Sequence, residues 1–145
     1  MTRSITYGLF LLSMAIAAAQ PGTSAGTIQV EVRYTGSGTV NASHKIYVAL
    51  WDDPGFASPG GDPPVAVQPL DSASGRVTFS NVQKVPAYIS VAYDPTGSWD
   101  AQSPPPSGTS LGMYTTNPPK PEPISVDSGK TVKITLTFDD AMKVP

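Results

Sequence analysis

Cysteine is absent from the 145-residue chain, and histidine occurs once, as His44. The lack of cysteine excludes disulfides, thiol catalysis, cysteine-based zinc sites and a lipid-modified cysteine. His44 stands at the start of a predicted strand, and no serine lies in a GxSxG or similar nucleophile motif. Asp94 and Asp100 would offer a carboxylate pair for sugar hydrolysis, but aspartates beside Gly and Pro are typically turn formers. The sequence therefore predicts a protein that is not an enzyme.

Charged residues are also scarce. They make up 14% of the chain, with nine basic and eleven acidic side chains and no run of Lys or Arg. Binding to nucleic acid depends on a basic patch that neutralises phosphates. We therefore expect no nucleic acid partner.

Long apolar runs are missing except at the amino terminus, where residues 9–16 are nearly all apolar. This run is too short for a membrane span, which needs ~20 residues. Arg3 precedes it and Ala17-Ala18-Ala19 follows it, which is the pattern of a signal peptide with an A-x-A cleavage site. We expect a signal peptide over residues 1–19, with Ala25 as a later cleavage alternative. The mature chain is predicted to be secreted or periplasmic, with no membrane span.

Proline and glycine are abundant, with sixteen and thirteen residues, and they cluster between segments of alternating hydrophobicity. Such a composition favours an all-β protein. The alternation predicts one domain over residues 26–140 with seven strands, at residues 26–35, 45–51, 65–67, 75–80, 87–93, 123–126 and 131–138. A short edge strand near residues 113–115 is a further option. Residues 87–93 are apolar or small at nearly every position, so this strand is expected to be central and covered on both faces.

A resemblance to a known family lies in residues 75–94. Gly75, an alternating V-T-F-S-N-V segment, a short turn and a Y-I-S-V-A-Y-D segment follow one another there. In this order they resemble the middle of carboxypeptidase regulatory-like domains, which share a transthyretin-like (prealbumin-like) seven-stranded β-sandwich. The loop with Asp94, Gly97 and Asp100 is also similar to one in small bacterial secreted β-domains. The resemblance implies an all-β, transthyretin-like or immunoglobulin-like sandwich that serves as a secreted accessory or binding module, with no catalytic residues to transfer.

Strand direction predicts where the loops gather. If successive strands run antiparallel, the segment of residues 94–120 and the pair Asp139-Asp140 share one end of the sandwich. The Pro- and Gly-rich loop that follows Trp51, up to residue 64, is then expected at the opposite end.

Calcium is the metal that this arrangement suggests. Asp94, Asp100, Asp139 and Asp140 at one end would supply the hard oxygen ligands that Ca²⁺ prefers. The spacing Asp94-x-x-Gly97-x-x-Asp100 lacks the dense acids of an EF-hand loop. The alternative is that these aspartates form turns and keep the loops soluble.

Aromatic residues in the two long loops suggest a ligand site. Trp51 and Phe56 flank one loop, and Trp99 and Tyr114 lie in the other. Exposed aromatic side chains on a rigid scaffold bind sugars or peptides, although the same residues would also serve as lids over the open ends of the core. We therefore expect a non-catalytic module that binds an extracellular carbohydrate or protein. The alternative is a structural or assembly component of the cell envelope that pairs through edge strands, with calcium as a candidate stabiliser.

Overall fold

The computed structural model describes residues 25–58, 60–83 and 85–145. The predicted signal peptide over residues 1–19 lies outside these ranges. Within them, no helix is long and apolar enough to cross a membrane.

The described chain is all-β, as predicted, and its strands form two sheets. The strands are β1 (Gly26–Tyr34), β2 (Ile46–Trp51), β3 (Ala66–Leu70), β4 (Ser74–Val82), β5 (Tyr88–Tyr93), β6 (Ser110–Met113) and β7 (Thr131–Phe138), with a single 3-10 turn at Pro54–Ala57. One sheet has the order β4-β1-β7, and the other has the order β3-β2-β5-β6. Neighbouring strands are antiparallel except β1 and β7, which are parallel.

The core lies between the two sheets and follows the alternation in the sequence. Residues that point inward from β1, β2 and β7 are buried, except the half-buried Val132, while their neighbours are half-buried or exposed. The central strand β5 confirms the expectation that both of its faces are covered, since five of its six residues are buried. The largest fully buried side chains include Ile28, Ile46, Ile89, Val30, Val48 and Val91.

The position of the sixth strand differs from the prediction. Residues 123–126 form no strand, and Ile124 makes only an isolated antiparallel bridge to Ala87. The sixth strand is instead β6, which pairs with β5 between Ser110 and Tyr93 at one end and Met113 and Ser90 at the other. Prolines at 121 and 123 explain the difference, because a proline has no N–H to continue a ladder.

One end of the sandwich gathers three aromatic rings. The centroid of the Tyr34 ring lies 4.9 Å from that of Tyr93 and 4.9 Å from that of Phe138. These residues end β1, β5 and β7, so β5 and β7 finish at the same end, as the strand directions predict.

Asp140 ties this end together. Its carboxylate accepts hydrogen bonds from Tyr34 Oη (2.5 Å), from the N–H and hydroxyl of Ser37 (2.8 and 2.9 Å) and from Ser110 Oγ (2.7 Å). The bonds from Ser110, Tyr34 and Ser37 hold the pKa of Asp140 well below its usual range. Asp140 therefore joins the segments that follow β1 and β7 to the start of β6.

Candidate functional site

The outer face of the four-stranded sheet is the candidate site. In β2 the inward residues alternate with Tyr47, Ala49 and Trp51, which point outward and are half-buried. Ala49 pairs across the sheet with Ser90 of β5, and Ser90 pairs with Met113 of β6. Ala49 and Ser90 thus give the middle of this face small side chains, with Met113 beside them on β6 and aromatic residues at both ends of β2.

Two loops fold over this face and turn it into a groove. The loops of residues 52–64 and 94–109 leave β2 and β5, two antiparallel neighbours, from opposite ends of the sheet. Residues of both loops line the same groove, which has a volume of about 880 Å³. Residues near the carboxyl end of the described chain, Met142 and Val144, line it beside β6.

At one end of the groove, Trp51 stacks on Phe56. The ring centroids are 4.9 Å apart and the planes differ by 18°. The 3-10 turn places Phe56: Asp53 caps it by accepting a hydrogen bond from Gly55 N–H (2.6 Å), and Pro54 suits the first position. Trp51 Nε1–H donates to Ser90 Oγ (2.8 Å), which fixes the indole against the floor.

At the other end, Trp99 meets Tyr47 edge to face. Their centroids are 5.2 Å apart, with an interplanar angle of 84°. Tyr47 Oη donates to the Trp99 carbonyl oxygen (3.3 Å), and Trp99 Nε1–H donates to the Ser103 carbonyl oxygen (2.9 Å). Trp99 is therefore held by hydrogen bonds at both its backbone carbonyl and its indole ring.

Asp94 braces the loop that carries Trp99. Its side chain is buried, and its carboxylate accepts hydrogen bonds from Thr96 N–H (2.9 Å), Thr96 Oγ1 (2.6 Å) and Trp99 N–H (2.9 Å). Burial alone would raise the pKa of Asp94, but these hydrogen bonds outweigh it and lower the pKa. Asp94 is thus an ionised anchor that positions Trp99.

Asp100 stabilises the next turn, at residues 100–103, in the same way. Its Oδ1 accepts hydrogen bonds from Gln102 N–H (2.9 Å), Ser103 N–H (3.0 Å) and Ser103 Oγ (2.8 Å). Bonds from the backbone N–H groups of Ser103 and Gln102 lower its pKa. Since Ser103 holds the Trp99 ring, Asp100 also stabilises the aromatic end of the groove.

The four acidic residues proposed for calcium have separate partners. Asp139 accepts a hydrogen bond from Ala141 N–H (2.8 Å), whereas Asp94 and Asp100 each bond within their own loop. Among the described residues, no three His, Cys, Asp or Glu side chains lie together so that they could hold a metal ion. The calcium hypothesis stays a prediction, which thermal melts in calcium and in chelator would test.

The aromatic residues predicted for a ligand site divide into two groups. Trp51, Phe56 and Trp99 line the groove. Tyr114 does not line it and instead packs, half-buried, against the hydrophobic core. For Tyr114 the alternative expectation, that of an aromatic residue packed against the core, describes its position better.

Sequence reasoning missed Tyr47, which forms the second aromatic pair with Trp99. The signal was present, because the alternation that points Ile46, Val48 and Leu50 inward puts Tyr47 on the same outer face as Trp51. The contribution of Gln102, which also lines the groove, follows only from the fold of its loop.

Comparisons with known proteins assign no function to this chain, so a function has to be inferred from the groove. No protein-family model matches the sequence, and no curated protein matches it. Among solved structures, the chain is similar to a variant of the major pilin from Streptococcus pyogenes, with 13% identity over 80% of this chain and a TM-score of 0.24. The chain spans about half (49%) of the length of that pilin. A likeness this weak supports no argument about function.

Proposed function

We propose that this domain is a non-catalytic module that binds an extracellular carbohydrate chain in the groove between the pairs Trp51–Phe56 and Tyr47–Trp99. One observation carries the proposal: loops from opposite ends of the sheet bring Trp99 and Phe56 against Tyr47 and Trp51 on one face of the sheet, so that both aromatic pairs line one groove. The apolar C–H faces of sugar rings pack well on aromatic rings, whose faces carry negative potential. A protein partner is the other ligand class that the sequence predicts for these aromatic residues.

The size and rigidity of the groove support the same function. Its volume of about 880 Å³ falls within the ~300–1,000 Å³ of typical ligand sites. The four aromatic rings are half-buried, so part of each stays open to solvent. Hydrogen bonds from Trp51 to Ser90 and from Trp99 to Asp94 and Ser103 hold both indoles before any ligand arrives. Such preorganisation lowers the entropy cost of binding.

We also propose that the domain is exported and that its sandwich is of the transthyretin-like type. The predicted signal peptide would deliver the module to the periplasm or the extracellular space, where polysaccharides are found. Seven strands in two sheets support a transthyretin-like sandwich, which the resemblance of residues 75–94 implies.

Tryptophan fluorescence tests the proposal directly. Titration of the protein with neutral polysaccharides should shift the emission, since both tryptophans lie in the groove. Trp51→Ala and Trp99→Ala should each lower the affinity at least tenfold, while Tyr114→Leu, which keeps an apolar side chain against the core, should leave it unchanged. Circular dichroism verifies that each variant is folded. If folded Trp51→Ala and Trp99→Ala proteins bind as the parent does, the groove is not the site.

A structural role through edge strands is the second candidate. Among the described strands, β7 pairs only with β1, so its other edge is open along Thr131–Phe138. Open edges recruit strands from other chains. Analytical ultracentrifugation distinguishes this role: Thr135→Pro, at an exposed β7 position, should reduce self-association that depends on the edge and leave polysaccharide binding intact.

A further inference from the structure

The groove contains almost no charge. Among its described lining residues, Asp62 is the only one with a charged side chain, and no Lys, Arg or His is present. Apart from the aromatic residues, its other polar side chains are hydroxyls and an amide, from Ser58, Ser90, Gln102 and Ser103. An anionic ligand would therefore lose hydration here without gaining a cationic partner, and Asp62 would repel it.

The aromatic groups of the groove have already used their hydrogen-bond donors. The indole N–H groups of Trp51 and Trp99 donate to Ser90 Oγ and to the Ser103 carbonyl, and Tyr47 Oη donates to the Trp99 carbonyl. The rings are left to offer their faces and edges. Ser90 Oγ accepts the bond from Trp51 and keeps its own proton, so it is able to donate to a neutral hydroxyl.

Because few donors in the groove are free, a peptide and a sugar chain would form different numbers of hydrogen bonds there. An extended Pro-rich peptide has no internal hydrogen bonds, so its carbonyl groups need donors from the site. Among the described lining side chains, only Ser58, Ser90 and Gln102 offer donors beyond those of the aromatic residues and Ser103, so most of those carbonyls would stay unpaired, which is costly. Sugar hydroxyls bring their own donors and are able to use acceptor groups such as carbonyl oxygens. The groove thus suits a polyhydroxylated chain better than a peptide.

The separation of the two aromatic pairs sets a minimum length. Tyr47 and Trp51 lie four residues apart on the same face of β2, a distance of ~13 Å at about 3.3 Å per residue. A single sugar ring contacts only one pair. A chain of several sugar units is needed to reach both.

From these observations we infer that the groove selects an uncharged glycan chain of several units that spans both aromatic pairs, and that it rejects acidic glycans. This inference rests on the proposed function and defines its ligand class. Neutrality follows from the lining, and length follows from the separation of the pairs.

Isothermal titration calorimetry of the whole secreted chain tests the inference. The probes are neutral gluco-, xylo-, manno- and chito-oligosaccharides of one, two, four and six units, the best binder oxidised to its uronic acid form, and a proline decapeptide. Affinity should rise at least tenfold from two to six units, and the uronic acid form should bind at least tenfold more weakly than its neutral parent.

Each outcome has a separate meaning. If no neutral hexasaccharide binds, or if only the peptide binds, both the proposed function and this inference fail. If the neutral and acidic chains bind equally, or if a disaccharide binds as tightly as a hexasaccharide, this inference fails and the proposed function stands.

A charge-placement variant tests the cause of selectivity. Gln102 is exposed and lines the groove, so Gln102→Lys adds one cation there without burial. The variant should bind the uronic acid form at least fivefold more tightly than the parent protein does. Thr135→Lys is the matched control, because it adds the same charge on the opposite sheet beside Glu31 and should change nothing. Equal behaviour of the two variants would refute charge exclusion by the groove.

Discussion

At the scale of single residues, Val91 is the most direct test of the core. It is 1% exposed and lies between Val48 of β2 and Gly112 of β6. Val91→Asp would bury a carboxylate without a partner, at a cost of several kcal/mol, which is a large share of the ~5–15 kcal/mol that stabilise a typical domain. We expect an unfolded or insoluble protein by circular dichroism.

The matched control for Val91 is Thr137→Asp. Thr137 is exposed on β7 and pairs with Arg33 of β1. The substitution should therefore change the free energy of unfolding of the protein by no more than about 0.5 kcal/mol. A soluble Val91→Asp protein with the melting temperature of the parent would show that β5 is not central.

Asp94 is a second residue whose role is testable. Asp94→Asn replaces a carboxylate oxygen by an amide nitrogen, which cannot accept the bonds from Thr96 or Trp99. The buried unpaired groups should lower the free energy of unfolding by about 1–3 kcal/mol. The loosened Trp99 should also weaken binding of the neutral oligosaccharide. Melting curves and Trp fluorescence measure the two effects, and an unchanged Trp99 environment would contradict a bracing role for Asp94.

At the scale of elements, the segment after β7 is the one that shields a strand edge. Leu111 N–H donates to the Met142 carbonyl (2.8 Å), Val144 N–H to the Thr109 carbonyl (3.0 Å) and Gly108 N–H to the Val144 carbonyl (2.9 Å). A chain shortened to end at Ala141 would lose these bonds, at about 0.5–1.5 kcal/mol each, and leave the β6 edge open.

The shortened chain should therefore self-associate more strongly than the full chain in sedimentation velocity runs at high concentration. Met142→Ser in the full chain is the control, because it removes an apolar side chain and keeps the backbone pairing. Should both proteins associate to the same extent, the apolar cover and not the strand edge would be the cause.

The strands also show which elements the sequence pattern predicts correctly and which it does not. Alternation located β1, β2, β5 and β7 to within one residue at each end. It failed for β6, whose sequence Ser-Leu-Gly-Met has weak strand propensity. This segment becomes a strand because β5 pairs with one of its edges and residues 142–144 with the other, and both contacts are distant in the sequence.

At the scale of the whole molecule, three aspartates link stability to pH. The pKa values of Asp94, Asp100 and Asp140 are lowered in the folded state by hydrogen bonds to their carboxylates. A folded-state pKa below the unfolded value means that the stabilisation is complete above the unfolded pKa, near 3.9, and is lost as the pH falls toward the folded value. The melting temperature should therefore be nearly constant from pH 7 to 5 and fall steeply below pH 4.

Asp140→Asn isolates the largest of these contributions. It should lower the melting temperature at pH 7 and make the fall below pH 4 shallower, because one group no longer titrates. Asp71→Asn, at an exposed position in the turn between β3 and β4, is the control for net charge. A parent protein whose melting temperature is the same at pH 3 and pH 7 would contradict this account.

The sequence by itself determined the all-β class and the inward faces of the main strands, and it singled out three of the four aromatic residues that line the groove, Trp51, Phe56 and Trp99. These properties are local, since a period of two and turn residues act between near neighbours in the chain. Only the tertiary structure decided that loops from opposite ends of the sheet fold over one face, so that Trp51 and Trp99 share a groove with Tyr47. It also decided that Asp140 accepts hydrogen bonds from Tyr34, Ser37 and Ser110. The physical reason is that loop direction and hydrogen-bond partners depend on contacts between residues far apart in the chain, which no local pattern encodes.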